Sequence, residues 1–512
     1  MSAWIKACLT IFLLGGITLK GSAEDANNAG TAGPTEFTVM AYNVENLFDV
    51  DRITSYDDYI ENPADPNSYA PGKLLKKLKT IAAVLKSVNS GKGPDVAILN
   101  ELEVDHSPDS SAGDLKEFLK KYEGTSYEKM LTSDLNDELR GLPIEAWLLK
   151  ALEDEGLKGY DLVIGDLPKN AKEHEDAIKV GILTRLPIQG HQTWDTPSAR
   201  GILEVNLRAG DAKFTVLGNH WKSGAGNPAM ENVRLGNAQT LRDRLDQIFK
   251  EDPNADVIMG GDFNTQYNQG QRYSFMTKTA IQDVLGSQGD AKASSGEGKP
   301  DLYNLWFDVD PEQRYSDEYN GEWGTLIQIL ISRGMGDGKG VDYVPGSFHH
   351  VILPGVNCRE PLGLPWRWTN YGVGAGASDH FPVVATFRVV QGETATAHPS
   401  AKSSEPQKAP VKVGYDTIDR SKLRNASVLK ELNDEQMAKA IGEIFVVEGV
   451  ISGKRPILIQ VGGKDYSLYS YDVNLRKTFQ TYEKGQNKKL LGELGLYKGK
   501  LQFLVHDGSW LK

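Results

Sequence analysis

Two histidines and two aspartates stand at the edges of apolar runs in this sequence, at positions where strands would begin or end. NHWKS places His220 after the run FTVLG, GGDFN places Asp262 after DVIM, and SDHFP contains Asp379 and His380. Strands that end at one edge of a rigid sheet can bring such side chains to a single place. Imidazoles beside carboxylates are suited to proton transfer and to metal-assisted hydrolysis.

Earlier segments add more oxygen donors to this set. AYNVENLF offers Asn43 and Glu45, AILNELE offers Glu101, and Asn264 follows Asp262 in GGDFN. Carboxylate and amide oxygens without cysteine favour a hard cation (Mg²⁺, Mn²⁺ or Ca²⁺) over a thiolate zinc site. Hydrolysis of a phosphate ester needs donors for the developing negative charge and a base for the water, and this set supplies both.

Five of these motifs, in this order, resemble the endonuclease/exonuclease/phosphatase superfamily: NVENLF, LNELE, NHWKS, GGDFN and SDHFP. The resemblance covers residues 37–390. It implies an α/β fold, a four-layer αββα sandwich in which two sheets lie face to face between outer helices. Alternating strands and helices with long loops agree with a sheet-on-sheet core.

The resemblance also implies a metal-binding side of the site. By this resemblance Glu101 is the principal metal ligand, and Asn43 lies near the metal and the phosphate. Asp379 resembles a second carboxylate on the metal side. Glu45 falls where some members carry a further acidic ligand, which makes it a weaker candidate.

Other motif residues resemble the catalytic groups of the family. Asp262 resembles the group that orients or deprotonates the attacking water, and Asn264 helps to position it. His220 and His380 resemble the pair that binds the scissile phosphate. Two neighbours of the first histidine are expected to contact substrate: Asn219 and Lys222.

One strand departs from the family pattern. The family commonly carries an Asp that orients the second histidine in a strand that reads TLIQILIS here, and Ile327 occupies the Asp position. Isoleucine cannot accept a hydrogen bond from imidazole. We therefore expect His380 to be less firmly held, unless another carboxylate reaches it.

Charge divides the chain into an acidic and a basic part. The net charge is −12, which argues against a polyanion-binding chain as a whole. Residues 411–512, the C-terminal module, carry 17 Lys+Arg and 12 Asp+Glu, a net of +5, which leaves −12 − 5 = −17 for the rest. Residues 391–410 contain mostly Ala, Ser, Thr and Pro and are predicted to be a linker that few contacts cross.

The C-terminal module has its own resemblance. GEIFVVEGVI and LGELGLYKGKLQFLV look like the first and last strands of OB-fold modules, and five short strands with glycine turns fit a small barrel. Such barrels bind single strands through basic, aromatic faces. The candidate rings are Tyr466, Tyr469, Tyr471, Phe479 and Tyr482. The alternative is a solvated basic surface over an aromatic core.

The N-terminus is typical of a signal peptide. Lys6 precedes an apolar run at residues 7–19, and Gly21-Ser22-Ala23 provides small residues for cleavage, so residues 1–23 are predicted to direct export to periplasm or medium. No stable membrane association is expected afterwards. Cleavage would leave Cys358 as the only cysteine, so no internal disulfide can form.

These features predict an exported, divalent-metal-dependent phosphodiesterase that hydrolyses DNA or RNA. Within the same superfamily the alternative is a phospholipase C, a sphingomyelinase or a phosphomonoesterase. In a different class, the alternative is a non-catalytic binding protein with a working OB module.

The segment LPWRW, before SDHFP, either stacks on a base or anchors a loop, and we expect it to anchor a loop. The sequence leaves the oligomeric state open.

Overall fold

The structure is a computed structural model that describes residues 36–107, 113–166, 177–289, 302–391 and 409–511. The predicted signal peptide and most of the predicted linker lie outside these residues. Among the described residues, no helix is both long and apolar enough to cross a membrane.

The body (residues 36–391) alternates strands with helices. Its strands are β1 (Glu36–Leu47), β2 (Val96–Glu103), β3 (Asp161–Ile164), β4 (Ile178–Thr184), β5 (Ile188–Trp194), β6 (Ile202–Ala209), β7 (Ala212–His220), β8 (Val257–Asp262), β9 (Ser287–Gln288), β10 (Leu302–Asn304), β11 (Asp317–Tyr319), β12 (Glu322–Gly324), β13 (Ile327–Ile331), β14 (Lys339–Tyr343), β15 (His349–His350), β16 (Cys358–Arg359), β17 (Leu364–Pro365) and β18 (Val383–Gln391). Its helices are α1 (Pro71–Lys86), α2 (Leu115–Lys121), α3 (Tyr127–Met130), α4 (Asp137–Arg140), α5 (Ile144–Asp154), α6 (Pro228–Glu251) and α7 (Gln269–Arg272).

The described part of the body forms two seven-stranded sheets. The first has the order β14-β18-β1-β2-β4-β3, with β15 also paired to β18, and the second has the order β5-β6-β7-β8-β13-β10-β9. In the first sheet β1 runs parallel to β2, and in the second β7 runs parallel to β8. The carboxyl ends of both parallel pairs carry the motif residues.

The sheets face each other across an apolar core, and helices cover their outer faces. Val39, Ile98, Val216, Ile258 and Ile329 are fully buried between the sheets. Helices α1 and α5 pack on the outer face of the first sheet, and α6 packs on that of the second. This arrangement is the four-layer αββα sandwich predicted above, and the fold prediction is confirmed.

The buried face of α1 follows the apolar periodicity of its sequence. Leu74, Leu78, Ile81 and Leu85 recur at helical spacing, and all four are at most 1 % exposed. Burial of each such side chain stabilises the fold by roughly 1.5–3 kcal/mol. The stripe therefore fixes α1 against the sheet that carries Asn43.

Helix α6 is less regular. Val233 is only half-buried, whereas the neighbouring Arg234 is fully buried. Arg234 pairs with Glu231 at 2.7 Å and donates to the carbonyl oxygen of Lys222 at 2.8 Å. A buried charge is tolerated when it is paired and hydrogen-bonded. Arg234 therefore holds the loop that follows His220.

The C-terminal module forms a closed barrel. Its strands are β19 (Ile444–Lys454), β20 (Ile457–Val461), β21 (Lys464–Tyr469), β22 (Asn487–Tyr497) and β23 (Lys500–Leu504), and its helices are α8 (Asp434–Ala440) and α9 (Val473–Gln480). The barrel order is β19-β20-β21-β23-β22, with β21 parallel to β23 and α9 between β21 and β22. The predicted OB-like barrel is confirmed.

The expectation of few contacts between body and module is wrong. Trp323, Leu362, Leu364 and Tyr371 of the body pack against the apolar cluster of the module. The guanidinium of Arg359 donates to the carbonyl oxygen of Ile441. Apolar side chains on both surfaces bury one another, an effect that linker composition cannot reveal.

We predict that Gly261→Ala destabilises the fold. Gly261 has φ +125°, and an added Cβ would lie 2.2 Å from the carbonyl oxygen of Asn219 in the neighbouring strand. Strain of this kind costs about 1–3 kcal/mol, and the clash adds to it. Urea denaturation followed by tryptophan fluorescence measures the free energy of unfolding. Gly72→Ala is the control because it meets no atom within 4 Å, so an equal loss there would contradict the explanation.

Candidate active site

Hydrogen bonds from Asn43 join the two sheets at the edge where the motif residues meet. Its Nδ2 donates to Glu101 Oε1 at 2.8 Å and to Asp262 Oδ2 at 3.0 Å. Its Oδ1 accepts the backbone N–H of Glu45 at 2.9 Å. The amide oxygen is therefore turned away from the carboxylates, so Asn43 bridges two acids where a metal ligand was predicted.

Asn100 forms a second link between the two sheets, and it was not among the residues singled out from the sequence. Its Nδ2 donates to the carbonyl oxygen of Asn219 at 2.8 Å, and its Oδ1 accepts the N–H of Asp262 at 3.0 Å. The side chain of Asn219 bonds to Leu217 O and Trp221 Nε1 and is fully buried. Asn219 therefore supports the strand ends, and its predicted substrate contact is not supported.

Several residues at this edge adopt left-handed backbone conformations. Among the described residues, φ is +49° at Glu45, +58° at Asn46, +69° at Glu101 and +49° at Asn264. Such conformations cost free energy outside glycine and persist where the surroundings enforce them. At Glu101 the turn is held by the N–H of Asn46, which donates to Oε2 at 2.9 Å.

Asp262 is fixed at the centre of the cluster. Its Oδ1 accepts the N–H of Asn264 at 2.8 Å, and Asn264 Nδ2 bonds to Trp221 O at 3.1 Å. The backbone N–H of Asn264 therefore helps to hold Asp262 in place, and the predicted role of Asn264 in positioning the water stays a prediction. Burial raises the pKa of Asp262, an effect that His380 and the Asn264 N–H oppose.

The two histidines approach Asp262 together. Nε2 of His220 lies 3.7 Å, and Nε2 of His380 lies 3.8 Å, from Asp262 Oδ2. Burial lowers the pKa of His380, but carboxylates, chiefly Asp379 and Asp262, outweigh burial and raise it to about 9. Burial and then Arg200 hold the pKa of His220 well below its ordinary value. The pair therefore divides into a protonated His380 and a neutral His220.

Arg200 is a site residue that sequence reasoning missed. It precedes β6, and its Nε donates to His220 Nδ1 at 3.1 Å, while its Nη2 lies 2.5 Å from Nε2. It stands in PSARG, which matches none of the motifs. Only its sheet position, beside the strand that ends in His220, could have indicated it.

A second arginine, Arg367, lies beside the carboxylates of Glu45 and Asp379. Its Nε bonds to Glu45 Oε1 at 2.7 Å, and its Nη2 lies 3.6 Å from Asp379 Oδ2. The other oxygen of Glu45 accepts the N–H of Trp368 at 2.6 Å, and Trp368 is buried. LPWRW thus anchors a loop, as expected, while its arginine reaches the site. Burial and the charge of Asp379 raise the pKa of Glu45 to about 8, although the charges of Arg367 and Lys77 act to lower it.

Lys222 contributes through its backbone in this structure. Its N–H donates to Asn237 Oδ1 at 3.2 Å, and its carbonyl oxygen accepts from Arg234. Its side chain is half-buried. The predicted contact between Lys222 and substrate stays a prediction.

The donor set fits a divalent cation. Glu101, His220 and Asp262 each offer a ligand atom, and these atoms lie within 4.8 Å of one another. Burial and the charge of Asp379 raise the pKa of Glu101 against Asn43, Arg200 and His380, and a bound cation would favour the charged carboxylate. A cation there would stabilise charge on a phosphate and acidify a bound water. Glu101 was the predicted ligand, whereas His220 and Asp262 were assigned to catalysis.

Fold and site together define a metal-dependent phosphoesterase of the two-sheet α/β type. Residues 187–389 match the family described as Endonuclease/Exonuclease/phosphatase. This match confirms the motif resemblance over the second half of the body.

This chain resembles several solved structures, at low sequence identity and with low TM-scores. TDP2 from C. elegans is 15 % identical over 70 % of this chain and 77 % of that one, with a TM-score of 0.37. The human Nocturnin catalytic domain with bound sulfate is 12 % identical over 69 % and 94 %, with a TM-score of 0.35. An endonuclease/exonuclease/phosphatase family protein from Bacteroides thetaiotaomicron is 13 % identical over 70 % and 99 %, with a TM-score of 0.36. These scores support no statement about function. A search of curated proteins gives no significant match.

We predict that Asp262→Asn lowers kcat by about 10²–10⁴-fold, because it removes a positioned proton acceptor. The melting temperature should stay close to that of the wild type, since the change relieves a buried charge. Phosphodiester hydrolysis and thermal melts measure the two effects. Asp243→Asn, on an exposed position of α6, is the control. An early-melting Asp262→Asn protein would indicate a structural role instead.

Proposed function

We propose that this protein is an exported, divalent-metal-dependent phosphodiesterase that hydrolyses nucleic acid. The observation that carries the choice of substrate is a pair of exposed tyrosines on the OB-like barrel, beside the acidic site. Export rests on the signal-like residues 1–23, which lie outside the described residues.

Tyr469 and Tyr471 form this pair at the end of β21. They are 38 % and 60 % exposed, and their ring centroids lie 5.5 Å apart in an edge-to-face arrangement. Arg476 Nη1 donates to the carbonyl oxygen of Tyr471 at 2.8 Å, and its guanidinium lies 5.7 Å from the Tyr469 ring. Exposed rings beside a cation suit the stacking of bases.

The pair lies close to the site. Burial and Tyr469 raise the pKa of Tyr471, and the charges of Arg367 and Tyr319 also act on it. Tyr319, on β11, is 74 % exposed, and the Arg367 side chain is 73 % exposed. A strand held by the tyrosines would therefore reach the acidic cluster over Arg367.

The other predicted rings do not serve this role. Tyr466, Phe479 and Tyr482 are at most 6 % exposed and pack inside the barrel. Tyr466 points inward from β21, as alternate strand residues must, and Phe479 on α9 and Tyr482 just after it belong to the module's apolar cluster. The exposed aromatic surface is therefore smaller than predicted.

The residues of the site have separable chemical roles in this reaction. Asp262, held by Asn264, accepts the proton of the attacking water. Protonated His380 donates to an oxygen of the phosphate, and His220 binds the same group through its neutral ring. Arg200 and Arg367 supply fixed positive charge against the developing negative charge. Glu101, with His220 and Asp262 nearest to it, would hold the divalent cation.

The substrate is identified by direct assay. Wild-type protein is incubated with plasmid, single-stranded DNA, RNA and sphingomyelin, each with Mg²⁺, Mn²⁺ or EDTA. We expect cleavage of nucleic acid that EDTA abolishes. Cleavage of sphingomyelin alone would favour the phospholipase alternative, and the absence of hydrolysis in every arm would favour a binding protein.

We predict that Tyr471→Ala raises KM for long single-stranded DNA roughly tenfold, because stacking contributes about 1–3 kcal/mol per base. Hydrolysis of a small chromogenic phosphodiester should keep its kcat. Tyr497→Ala removes a ring that is 62 % exposed elsewhere on the barrel and serves as the matched control. Equal effects of the two substitutions on KM would refute the assignment of this surface.

A further inference from the structure

The acidic residues of the site fall into two groups. The ion cluster consists of Glu101, His220 and Asp262, whose ligand atoms lie within 4.8 Å of one another. Glu45 and Asp379, which the sequence predicted as further ligands, are not in this cluster. The guanidinium of Arg367 lies against both of them, with Nε 2.7 Å from Glu45 Oε1 and Nη2 3.6 Å from Asp379 Oδ2. These two residues, the paired acids, already share a cation that belongs to the chain.

Both carboxylate oxygens of Glu45 are engaged by donors. Oε1 accepts the Nε–H of Arg367, and Oε2 accepts the backbone N–H of Trp368 at 2.6 Å. The buried Lys77 adds a second positive charge, because its Nζ donates to the carbonyl oxygen of Glu45. A buried charge is tolerated when it is paired and hydrogen-bonded. A metal ion at Glu45 would therefore have to compete with donors that the fold provides.

The backbone around Arg367 is closely held. The N–H of Ala377 donates to the carbonyl oxygen of Trp366 at 2.7 Å, and a Cβ added to Gly376 would lie 2.2 Å from the carbonyl oxygen of Arg367. Trp368, the next residue, is buried. Because the residues before and after Arg367 are fixed, a rigid segment presents the guanidinium to the paired acids, as a preorganised charge requires.

Part of the Arg367 side chain is available to a substrate. Its Nη1 has no hydrogen-bond partner in the part of the chain that the structure describes, and the side chain is mostly exposed. A guanidinium carries its donors in a planar geometry that matches phosphate oxygens. A phosphate bound through Nη1 would therefore contact a cation that two carboxylates already hold in place.

Asp379 connects Arg367 to the ion cluster. Its Oδ2 faces Arg367, and its Oδ1 lies 3.6 Å from Nε2 of His380. The same nitrogen lies 3.8 Å from Oδ2 of Asp262, a member of the ion cluster. One carboxylate therefore separates the guanidinium from the histidine that is proposed to bind the phosphate.

We propose that Arg367 takes the place of a second metal ion at Glu45 and Asp379, so that the protein uses one divalent cation and one guanidinium against the charge of the phosphate. This proposal rests on the proposed hydrolysis at the same site. Two-ion sites hold their cations about 3.5–4 Å apart to stabilise the attacking and leaving oxygens. A guanidinium supplies a fixed positive charge that is not drawn from solution, and it keeps its proton in proteins. Glu45 then serves to hold Arg367 and is not a metal ligand.

The number of bound ions tests the proposal without turnover. Mn²⁺ binding to the full-length protein is counted by titration calorimetry and by electron paramagnetic resonance of the free ion. We expect one ion per wild-type chain and two in Arg367→Met, because Glu45 and Asp379 then lose their cation. Two ions in the wild type, or one in folded Arg367→Met, would overturn the proposal. No bound ion in the wild type would contradict the proposed metal dependence as well, so the two failures are distinguishable.

Arg333→Met is the matched control for this count. The Arg333 side chain is exposed and bonds to Asn254, which precedes β8, whereas Asp262 ends that strand. Because the site lies at the far end of the strand, this variant should bind one ion, as the wild type does. A second ion in Arg333→Met would mean that loss of any arginine charge recruits Mn²⁺, which would overturn the specific role of Arg367.

A second measurement remains decisive if Arg367→Met does not fold. Glu45→Gln keeps the volume of the side chain and an oxygen for Arg367, whereas Glu101→Gln alters the ion cluster. We expect Glu101→Gln to weaken Mn²⁺ binding by at least about tenfold, since even changes outside the ligand shell cost that much. Glu45→Gln should fall well short of that loss. Equal losses in the two variants would make Glu45 a ligand and overturn the proposal.

Hydrolysis of bis(4-nitrophenyl) phosphate shows whether the guanidinium acts in the reaction. Loss of one donor for the developing charge costs about 10²–10³-fold in kcat, and we expect a loss of that size in Arg367→Met. Excess Mn²⁺ should restore part of kcat in Arg367→Met but not in Arg367→Met/Glu45→Gln, because the second ion needs Glu45. A wild-type kcat in Arg367→Met, or equal recovery of the two variants, would overturn the proposal.

Discussion

The active site depends on two asparagine side chains that join the sheets where they come closest. Asn43 holds Glu101 of the first sheet and Asp262 of the second, and Asn100 holds the N–H of Asp262 and the carbonyl oxygen of Asn219. Apolar packing sets the spacing of the two sheets but not their register at the edge, because dispersion and hydrophobic burial are not directional. Hydrogen bonds are directional, and in a buried place an unmade one costs about 1–3 kcal/mol. These four bonds therefore determine how accurately the two halves of the site meet.

Burial of the site's carboxylates disfavours their negative charge, and cationic side chains offset part of this effect. Burial raises the pKa of Glu45, Glu101 and Asp262, so each carboxylate is less stable in its charged form than in water. Arg367 offsets part of the charge at Glu45, and the raised pKa of His380 keeps a proton beside Asp262. The remaining negative charge around Glu101 is what a divalent cation would neutralise. The buried negative charge at these residues therefore lowers the stability of the fold and favours the binding of a metal ion, as in many preorganised sites.

Sequence reasoning predicted what local pattern determines and missed what tertiary contact determines. Apolar runs followed by polar motifs predicted the strand ends of His220 and Asp262, and helical spacing predicted the buried stripe of α1. The same reasoning gave Asn219 a substrate contact, because a motif shows that a residue is close to a site but not which way its side chain turns. Arg200 stands in a segment without a motif, and only its position beside the strand that ends in His220 brings it to the site. Such long-range contacts have no periodicity that a single sequence could show.

The docked module changes the meaning of the charge division. If the linker were free, the acidic body and the basic barrel would act as two independent proteins. The barrel would then bind a polyanion and raise its concentration near the body. Here the residues that begin the module pair with the hairpin of β11 and β12 beside His380, and the exposed tyrosines lie near Arg367. A body of net charge −17 repels a nucleic acid at a distance, so local cations and rings must select the point of approach. A fixed barrel beside the acidic cluster limits that approach to one side, since stacking and phosphate contacts act only over short distances. Docking therefore restricts the side from which a substrate can approach the acidic cluster.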